Sequence, residues 1–470
     1  MNNENDVLLV DPRGIYGYAF KISSPKIREP LGLEYIASAI KEEGYSVDLL
    51  MQTEPFDKFL EKISSYQSSI IGISCMTYNI NTGLKIAEAI KRENPETITI
   101  FGGEHPSADI SIIKNDNVDF VVYKEGEETI KDLLSYLSRG KPKLEEIRGV
   151  IYSDRSQIKI NLPRERIRNP DNLPFPLRKK QIITKCVDHG IAYPPPSEQK
   201  GHIMVLYSRG CIFNCSFCSS PYMWGRKVIY RTPQNVLDEI ESCIEEFGTN
   251  YVFFADFTFN ANKRKVYELC NEIKKRKLNL DWCCQARADL IDEEFIKKTA
   301  ETGCRRISLG VESLDNYSLE KLNKKEDIET IIRSLELTNR YGILTRASYI
   351  LGFPWQTRKD LEKIKERIKI IPADELRITF YTLFPGTKDW KNYAHLLLTD
   401  DWSLFDNDHP TIKTKDNISM EELQEYRKDI LRSFFQSKEY DKRMKKKIRV
   451  HPEYKQSYDE YLSLIFKLIK

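Results

Sequence analysis

Twice along this chain, short runs of aliphatic and β-branched residues alternate with amphipathic stretches, and no other feature restricts the fold so strongly. Between Asp6 and Lys124 the runs DVLLVD, YSVDLLM, SIIGISC, TITIFGG and DFVVYKEG are separated by segments such as LGLEYIASAIKEEG and NTGLKIAEAIKREN. The runs have the length and composition of strands, and the segments between them place apolar residues on one helical face. Repeated strand–helix–strand units build a parallel sheet with helices on both faces, so residues 1–140 are expected to form a doubly wound α/β domain. Ligands of such sheets settle outside the carboxyl ends of the strands. Here those ends carry DPRG, SCMTYN, GGEHPS and KEGEE, loops rich in glycine and small polar residues.

The alternation breaks after Lys141 into hairpin-like pieces and proline clusters, NLPRERIRNPDNLPFPL and AYPPPSEQKG, which mark residues 141–200 as a linker with a hairpin. Cys186 and His189 fall within it and read as incidental. A second series then follows in residues 201–388: HIMVLYS, NYVFFAD, DWCCQAR, RRISLGVE, TRASYILGFP and ELRITFYTLFPG. Helical segments fill the gaps, one with Thr232 as N-cap and Pro233 at its first position. Six strands are too few for an eight-fold barrel and predict a partial (β/α)6 barrel. Residues 389–470 read as a helical, aromatic region. Its basic cluster KEYDKRMKKKIR is expected on a solvated helix face, and Trp390, Tyr393 and Trp402 are expected to close the barrel bottom or line a substrate entrance.

Composition narrows the function. Lys and Arg number 73 against 70 for Asp and Glu, a net +3 that argues against nucleic acid as the main partner. The start lacks a basic segment followed by an apolar one, and no apolar run is long enough to span a bilayer, so a cytoplasmic location without a membrane span is expected. Of 10 cysteines, three crowd between Cys211 and Cys218, which suggests reduced thiols with one metal site rather than a disulfide framework.

That crowd, RGCIFNCSFCSS, sets Cys211, Cys215 and Cys218 in a C-x3-C-x2-C loop directly after a strand. Three thiolates in so short a loop hold one face of an iron–sulfur cluster, and a four-iron cluster normally takes four. An iron without a protein ligand is an open coordination position, the hallmark of a catalytic rather than a structural metal site. The alternative is a zinc knuckle completed from afar by Cys283, Cys284 or His202, although zinc sites usually pair two such hooks and no second hook occurs.

With Phe217 just before its last cysteine, this loop resembles the signature of the radical S-adenosylmethionine superfamily. The strings YVFFADFTFN, CCQARADLID, RRISLGVESL and YILGFPWQT resemble successive strand ends of that superfamily's partial barrel, from His202 to Gly386. The resemblance implies a 4Fe-4S cluster on Cys211, Cys215 and Cys218, whose unique iron chelates S-adenosylmethionine, and one-electron cleavage of the sulfonium to a 5′-deoxyadenosyl radical. On the matching positions, Phe217 suits adenine stacking, Arg287 a carboxylate, and Glu312 an ammonium or ribose hydroxyl. Gly310 and Gly352 would let backbone approach the ligand. The second-strand motif, often Gly-Gly-Glu, is here Ala255-Asp256-Phe257, which leaves Asp256 to face cofactor or substrate.

Placed ahead of such a barrel, residues 6–139 resemble the Rossmann-like cobalamin-binding domain of the cobalamin-dependent subgroup. The implied contacts are Pro12; Ser74, Met76 and Thr77; Gly102, Gly103, Glu104 and His105; and Glu125 with Gly126. The D-x-H-x-x-G string that supplies an axial histidine is absent, so cobalt is expected to lack an imidazole ligand, with His105 in a loop near the nucleotide tail. The combined resemblance implies a C-methyltransferase in which a substrate radical captures a methyl group from cobalt. A radical cobalamin cyclase or other non-methylating enzyme, and a non-catalytic cobalamin or redox sensor, stand as alternatives. A small-molecule or peptide substrate and an external electron donor such as flavodoxin or ferredoxin complete the expectation.

Overall fold

The computed structural model describes residues 6–13, 28–155 and 157–469; Gly14 of the DPRG loop and the first five residues lie outside the described residues. The first alternation becomes a seven-stranded sheet of β1 (Val7–Asp11), β2 (Val47–Met51), β3 (Ile70–Ser74), β4 (Ile98–Gly102), β5 (Phe120–Val122), β6 (Val150–Asp154) and β7 (Gln157–Ile160), in the order β2-β1-β3-β4-β5-β6-β7. β1 to β5 run parallel. Leu8, Val10, Ile71, Ile73 and Phe101 are buried on one face, and Val7, Leu9, Leu49 and Ile100 on the other. Two buried faces explain why these strands read as unbroken apolar runs. The chain order reverses beside β1 and β3, so their carboxyl ends flank the crevice in which doubly wound sheets hold ligands.

The hairpin expected in the linker belongs to this sheet. β6 pairs antiparallel with β5, Val150 opposite Val122 and Ile151 opposite Val121, so the first unit extends to Ile160 rather than to residue 140. An unpaired β5 would leave an open sheet edge, and the hairpin covers it.

The second alternation forms β8 (Ile203–Val205), a two-residue pair β9 (Ser208–Arg209) and β10 (Ile229–Tyr230), then β11 (Tyr251–Phe254), β12 (Asp281–Ala286), β13 (Cys304–Glu312), β14 (Leu344–Leu351) and β15 (Glu375–Phe380). Six of these make a parallel sheet ordered β15-β14-β13-β12-β11-β8, the partial barrel that the pattern predicts. Thr232 caps the helix Pro233–Phe247, its hydroxyl accepting from Asn235 N at 3.3 Å. No helix among the described residues is long and apolar enough to cross a membrane.

The segment after β7 is packed rather than free. Ile183 and Cys186 are buried, and Arg178 donates from Nε to Glu29 at 2.5 Å and from Nη2 to Glu239 at 2.7 Å, all three side chains being buried. The C-terminal helices Met420–Phe435, Lys438–Val450 and Lys455–Leu468 close over the outer strands. Tyr440 donates to Asp374 O at 3.1 Å and Lys447 to the Asp374 carboxylate at 2.5 Å. The basic helix is thus only partly a solvated face: Met444 and Lys447 are buried while Lys442, Lys445 and Lys446 are exposed. Trp402 does not reach the barrel bottom. It lies 5.0 Å edge-on from His105 and so joins the C-terminal region to the first domain.

Breaking a buried ion pair from one side leaves a charge without compensation. Arg178→Met is expected to cost about 3 kcal/mol, because Glu29 loses its cation while Glu239 retains Arg231. A lowered midpoint of denaturant unfolding checks this, and a change under about 1 kcal/mol would show the network to be dispensable.

Candidate functional site

After β9 the chain turns at Gly210, with φ +104°, where a Cβ would stand 2.4 Å from Lys227 O, so glycine is required. The cysteine loop that follows is fixed from three sides. Ser216 N donates to Leu322 O at 3.0 Å, Asn323 Nδ2 donates to Asn214 O at 2.6 Å, and Asp389 N donates to Ser216 O at 3.0 Å. Asp389 also accepts from the hydroxyls of Ser216, at 3.0 Å, and Tyr381. Cys211 Sγ lies 3.5 Å from Thr258 Oγ1. All three thiols open into one cavity of about 410 Å3 at the carboxyl ends of the barrel strands, lined also by Phe213, Phe217, Arg287, Gly310, Glu312 and Lys324.

Arg287 follows β12, its backbone gripped by Asn260, which donates to Arg287 O at 2.9 Å and accepts from Arg287 N at 3.0 Å. Its guanidinium donates to Asp289 at 2.9 and 3.1 Å and to Lys324 O at 2.8 Å, and its centre lies 3.7 Å from that of the Phe213 ring. Glu312 ends β13 in the left-handed region, φ +63°, at a break in register with β14. Its Oε1 meets Lys324 Nζ at 3.2 Å, and Lys324 also faces Glu326 at 3.3 Å. Burial alone would depress the Lys324 ammonium, but the two carboxylates outweigh it and hold its pKa above the ordinary value. Burial pushes the free Cys218 thiol up to about 12 and raises Cys215, against which Lys324 and Arg287 act. Phe213 and Lys324 escaped the sequence reading. Phe213 was legible inside the cysteine loop as an aromatic, whereas Lys324 lies 12 residues beyond Glu312 in a charged stretch with no local signal.

Several expected contacts are placed elsewhere. Asp256 is fully buried outside the cavity, its carboxylate accepting from Tyr207 N at 3.1 Å and from the Ser208 hydroxyl, so it ties the β8–β9 connection instead of facing a ligand. Gly352, φ +82°, would direct a Cβ at Leu423 and Phe380, 3.5 and 3.9 Å away, so it serves a left-handed turn behind the cavity. Glu125 is buried and pairs with Arg209 at 3.3 Å across the domain junction. At Gly126 a Cβ would press on Ile36 and Val122 at 3.0 and 3.2 Å, which makes this glycine a packing requirement. His105 is buried with Nδ1 3.3 Å from Thr77 Oγ1, and burial brings its pKa down to about 4, so the ring stays neutral where it packs against Trp402.

The remaining first-domain residues border the crevice. Pro12 is buried at the end of β1, Ser74 is half-buried at the end of β3, and Met76 is 46% exposed. Gly103, φ +99°, lets the β4 loop pass Cys75, whose carbonyl oxygen a Cβ would approach to 2.6 Å. Just beyond Gly102 and Gly103, Glu104 lies close enough to Ser219, beside Cys218, for that side chain to influence the Glu104 titration, and the Tyr222 hydroxyl donates to Ser107 O. The strand ends of the two sheets therefore meet at the cysteine loop.

The donor set fits a multinuclear cluster. Cys283 lies against Tyr251 and Arg306, each 3.8 Å from its sulfur, Cys284 packs near Cys304, and His202 is edge-on to Tyr251; none lines the cavity.

The chain matches the family model of the radical SAM superfamily over residues 205–368 and that of the B12 binding domain over residues 20–134. It is 29% identical to an uncharacterized methyltransferase of Pyrococcus horikoshii, covering 82% of this chain and 83% of that protein. It is 26% identical to the anaerobic magnesium-protoporphyrin IX monomethyl ester cyclase of Rubrivivax gelatinosus, covering 87% and 74%. Its fold is similar to that of the radical S-adenosylmethionine methyltransferase TsrM of Kitasatospora setae, solved with cobalamin and a [4Fe-4S] cluster, at a TM-score of 0.67, 19% identity, and coverage of 84% of this chain and 75% of that one.

Burial raises the Asp256 carboxyl from 3.8 to about 6. The folded state then binds the proton more tightly than the unfolded chain, so stability is greatest below the unfolded pKa and falls as pH rises through 6. At about 1.4 kcal/mol per unit, the non-ionising Asp256→Asn is expected to gain ~3 kcal/mol on the wild type between about pH 4 and pH 7. Denaturation midpoints of the two proteins across that range test it, and parallel curves would refute it.

Proposed function

We propose that this chain, which belongs to the radical S-adenosylmethionine enzymes carrying a B12-binding domain, is a methyltransferase acting on an unactivated carbon. One juxtaposition carries the reading: three cysteine thiols, Arg287 and Glu312 share a cavity at the carboxyl ends of the barrel strands, and Tyr222, just after the cysteine loop, donates to Ser107 O just after β4 of the first domain. Its cofactors are a 4Fe-4S cluster, S-adenosylmethionine and cobalamin. When bound, the cluster supplies the electron that cleaves S-adenosylmethionine, and cobalamin supplies the methyl group.

The chain's own residues hold and orient. Cys211, Cys215 and Cys218 would ligate the cluster and leave one iron for S-adenosylmethionine. Arg287 would take its carboxylate, Glu312 its ammonium or ribose, and Phe217 its adenine. Gly310 keeps the lumen open, since a Cβ there would stand 2.3 Å from Glu312 Oε1 and 3.0 Å from Lys324 Nζ. Lys324 pins the Glu312 carboxylate, and the Phe213 ring under Arg287 restricts the guanidinium to one plane. Pro12, Ser74, Met76, Gly102, Gly103 and Glu104 border the crevice that would receive cobalamin. Tyr381 lines the cavity, and Phe353 and Trp355, with ring centres within 6.2 Å of one another and of Tyr381, pack behind it as an apolar wall.

The methyl-transfer reading is supported by the Pyrococcus relative, and a ring-forming reaction is the second reading, supported by similarity to the Rubrivivax cyclase over 427 residues. These relatives are enzymes, which leaves the sensor reading without support. A small-molecule or peptide substrate, a flavodoxin- or ferredoxin-type electron donor and a cytoplasmic location belong to the same proposal.

Anaerobically reconstituted protein given reductant, S-adenosylmethionine and cobalamin is expected to form 5′-deoxyadenosine. Cys211→Ala, Cys215→Ala and Cys218→Ala are each expected to lose both the cluster's visible absorbance and this product, while Cys283→Ala and Cys284→Ala retain them. A full cluster in Cys215→Ala would sink the assignment. The product mass separates the two chemistries, because methyl transfer adds one CH2 to the substrate and cyclisation does not.

Because the neutral His105 ring is turned into the junction with Trp402, the cobalt(II) form is expected to show no nitrogen superhyperfine splitting in electron paramagnetic resonance. Clear splitting that vanishes in His105→Ala would overturn this histidine-free arrangement.

A further inference from the structure

The barrel lumen carries positive charge that the cluster and S-adenosylmethionine contacts leave unused. Strand register places Gly310 of β13, Ser348 of β14 and Arg377 of β15 on one row, and all three line the cavity that holds the cysteines. Arg377 Nε is buried without a hydrogen-bond partner. The carboxylate it feels most, Asp408, is ion-paired to Arg427 at 3.2 Å. Arg346, one row below, is by contrast matched by Glu375 at 2.5 Å and Asp188 at 3.5 Å.

A buried guanidinium edge left without a partner beside a cavity is tolerated where an anion comes to lie against it. The Nε edge of a guanidinium is also the edge that grips a planar oxyanion in bidentate fashion. Arg287 is not part of this site, because it is assigned to the S-adenosylmethionine carboxylate, with its Nε and Nη2 also donating to Asp289 and Lys324 O. Ser348, next to Arg377 in register, is short enough to leave room for a ligand group and offers a hydroxyl donor.

We propose that the substrate carries an oxyanion, a carboxylate or a phosphate, which binds Arg377 beside Ser348 in the barrel lumen. This rests on the reading of the chain as a radical enzyme whose substrate shares the cavity with S-adenosylmethionine. Calorimetric titration of the reconstituted protein with inorganic phosphate and with acetate tests it, and the preferred anion tells the two sources apart. Saturable millimolar binding of one of them is expected, weakened about tenfold or more by Arg377→Gln and partly kept in Arg377→Lys. Ser348→Asp, which sets a carboxylate beside Arg377, is expected to block the anion and serves if Arg377→Gln does not fold. Affinities for S-adenosylmethionine and hydroxocobalamin should stay within about twofold. No saturable binding of either anion, binding unaltered by these substitutions, or lost cofactor affinity in Arg377→Gln would each overturn the proposal. The methyltransferase reading fails separately, by absence of S-adenosylmethionine cleavage in cluster-loaded protein, whatever the anion titration shows.

Discussion

The mutual placement of the two sheets depends on a buried charge network at their junction. Arg178, from the segment between the sheets, binds Glu29 ahead of the first domain's helix Leu31–Glu42 and Glu239 on the first barrel helix, while Arg231 completes Glu239. Arg209, the last residue before the turn into the cysteine loop, is held by Glu127 at 2.6 Å and Glu125 at 3.3 Å at the end of the first sheet. Buried ion pairs gain little net stability over apolar packing, because desolvation offsets most of the attraction. They penalise any other alignment heavily, since a shifted domain would strand several charges away from water. The network therefore acts on geometry: it turns the carboxyl ends of both sheets toward one interior, where two cofactors and a substrate would have to meet.

Within the barrel, the same alternation that builds strands sorts side chains into lumen and shell. Gln285, Ser308 and Arg346 share one row, and Gly310, Ser348 and Arg377 the next, while Leu309, Ala347 and Leu376 between them face the helices. A lumen of small and polar residues is poor core, and its walls are stabilised from outside by the helices and by Trp282, Phe254 and Phe295. Glu312 shows what the site costs. A left-handed backbone at a non-glycine residue is strained by about 1–3 kcal/mol, and the ion pair with Lys324 holds it there. Strain at this one strand end directs the carboxylate into the cavity rather than along β14.

Local patterns made much of this legible. Apolar runs of strand length, Thr232-Pro233 as a helix start and the cysteine spacing each depend on residues near one another in sequence, so both parallel sheets and the metal-ligating loop could be read directly. What escaped depends on long-range packing. The β6–β7 hairpin looked like linker because its membership in the first sheet is decided by the edge of β5. Asp256 matched a motif position, yet the absence of the usual glycines lets its side chain fold back onto Tyr207 N and Ser208. Lys324 and Arg377 gave no signal because their partners and cavity are assembled from distant strands, and a lone basic residue in a sequence with 73 of them carries no information about where it points.

The linker's proline-rich composition acquires a physical reason at the barrel floor. Six strands leave a gap that eight would close, and here the segment around Asp188 fills the lower end. Asp188 pairs with Arg306 and Arg346, and Glu375 with the same two arginines, so the floor holds two cations and two anions. The two arginines hold Asp188 well below the usual carboxylate range despite the burial that opposes them. A Cβ at Gly190 would stand 2.1 Å from Arg346 Nη2 and 2.7 Å from Glu375 Oε1, so a larger residue would have to push the paired side chains apart. A chain that has to lie flat over a layer of charged side chains cannot be a helix or a strand with bulky residues facing down, and the glycine at 190 with the prolines that follow at 194–196 gives it that shape. The floor is electrically closed, whereas the wall above it is not, and this difference directs a ligand's charge toward Arg377 and away from the base of the barrel.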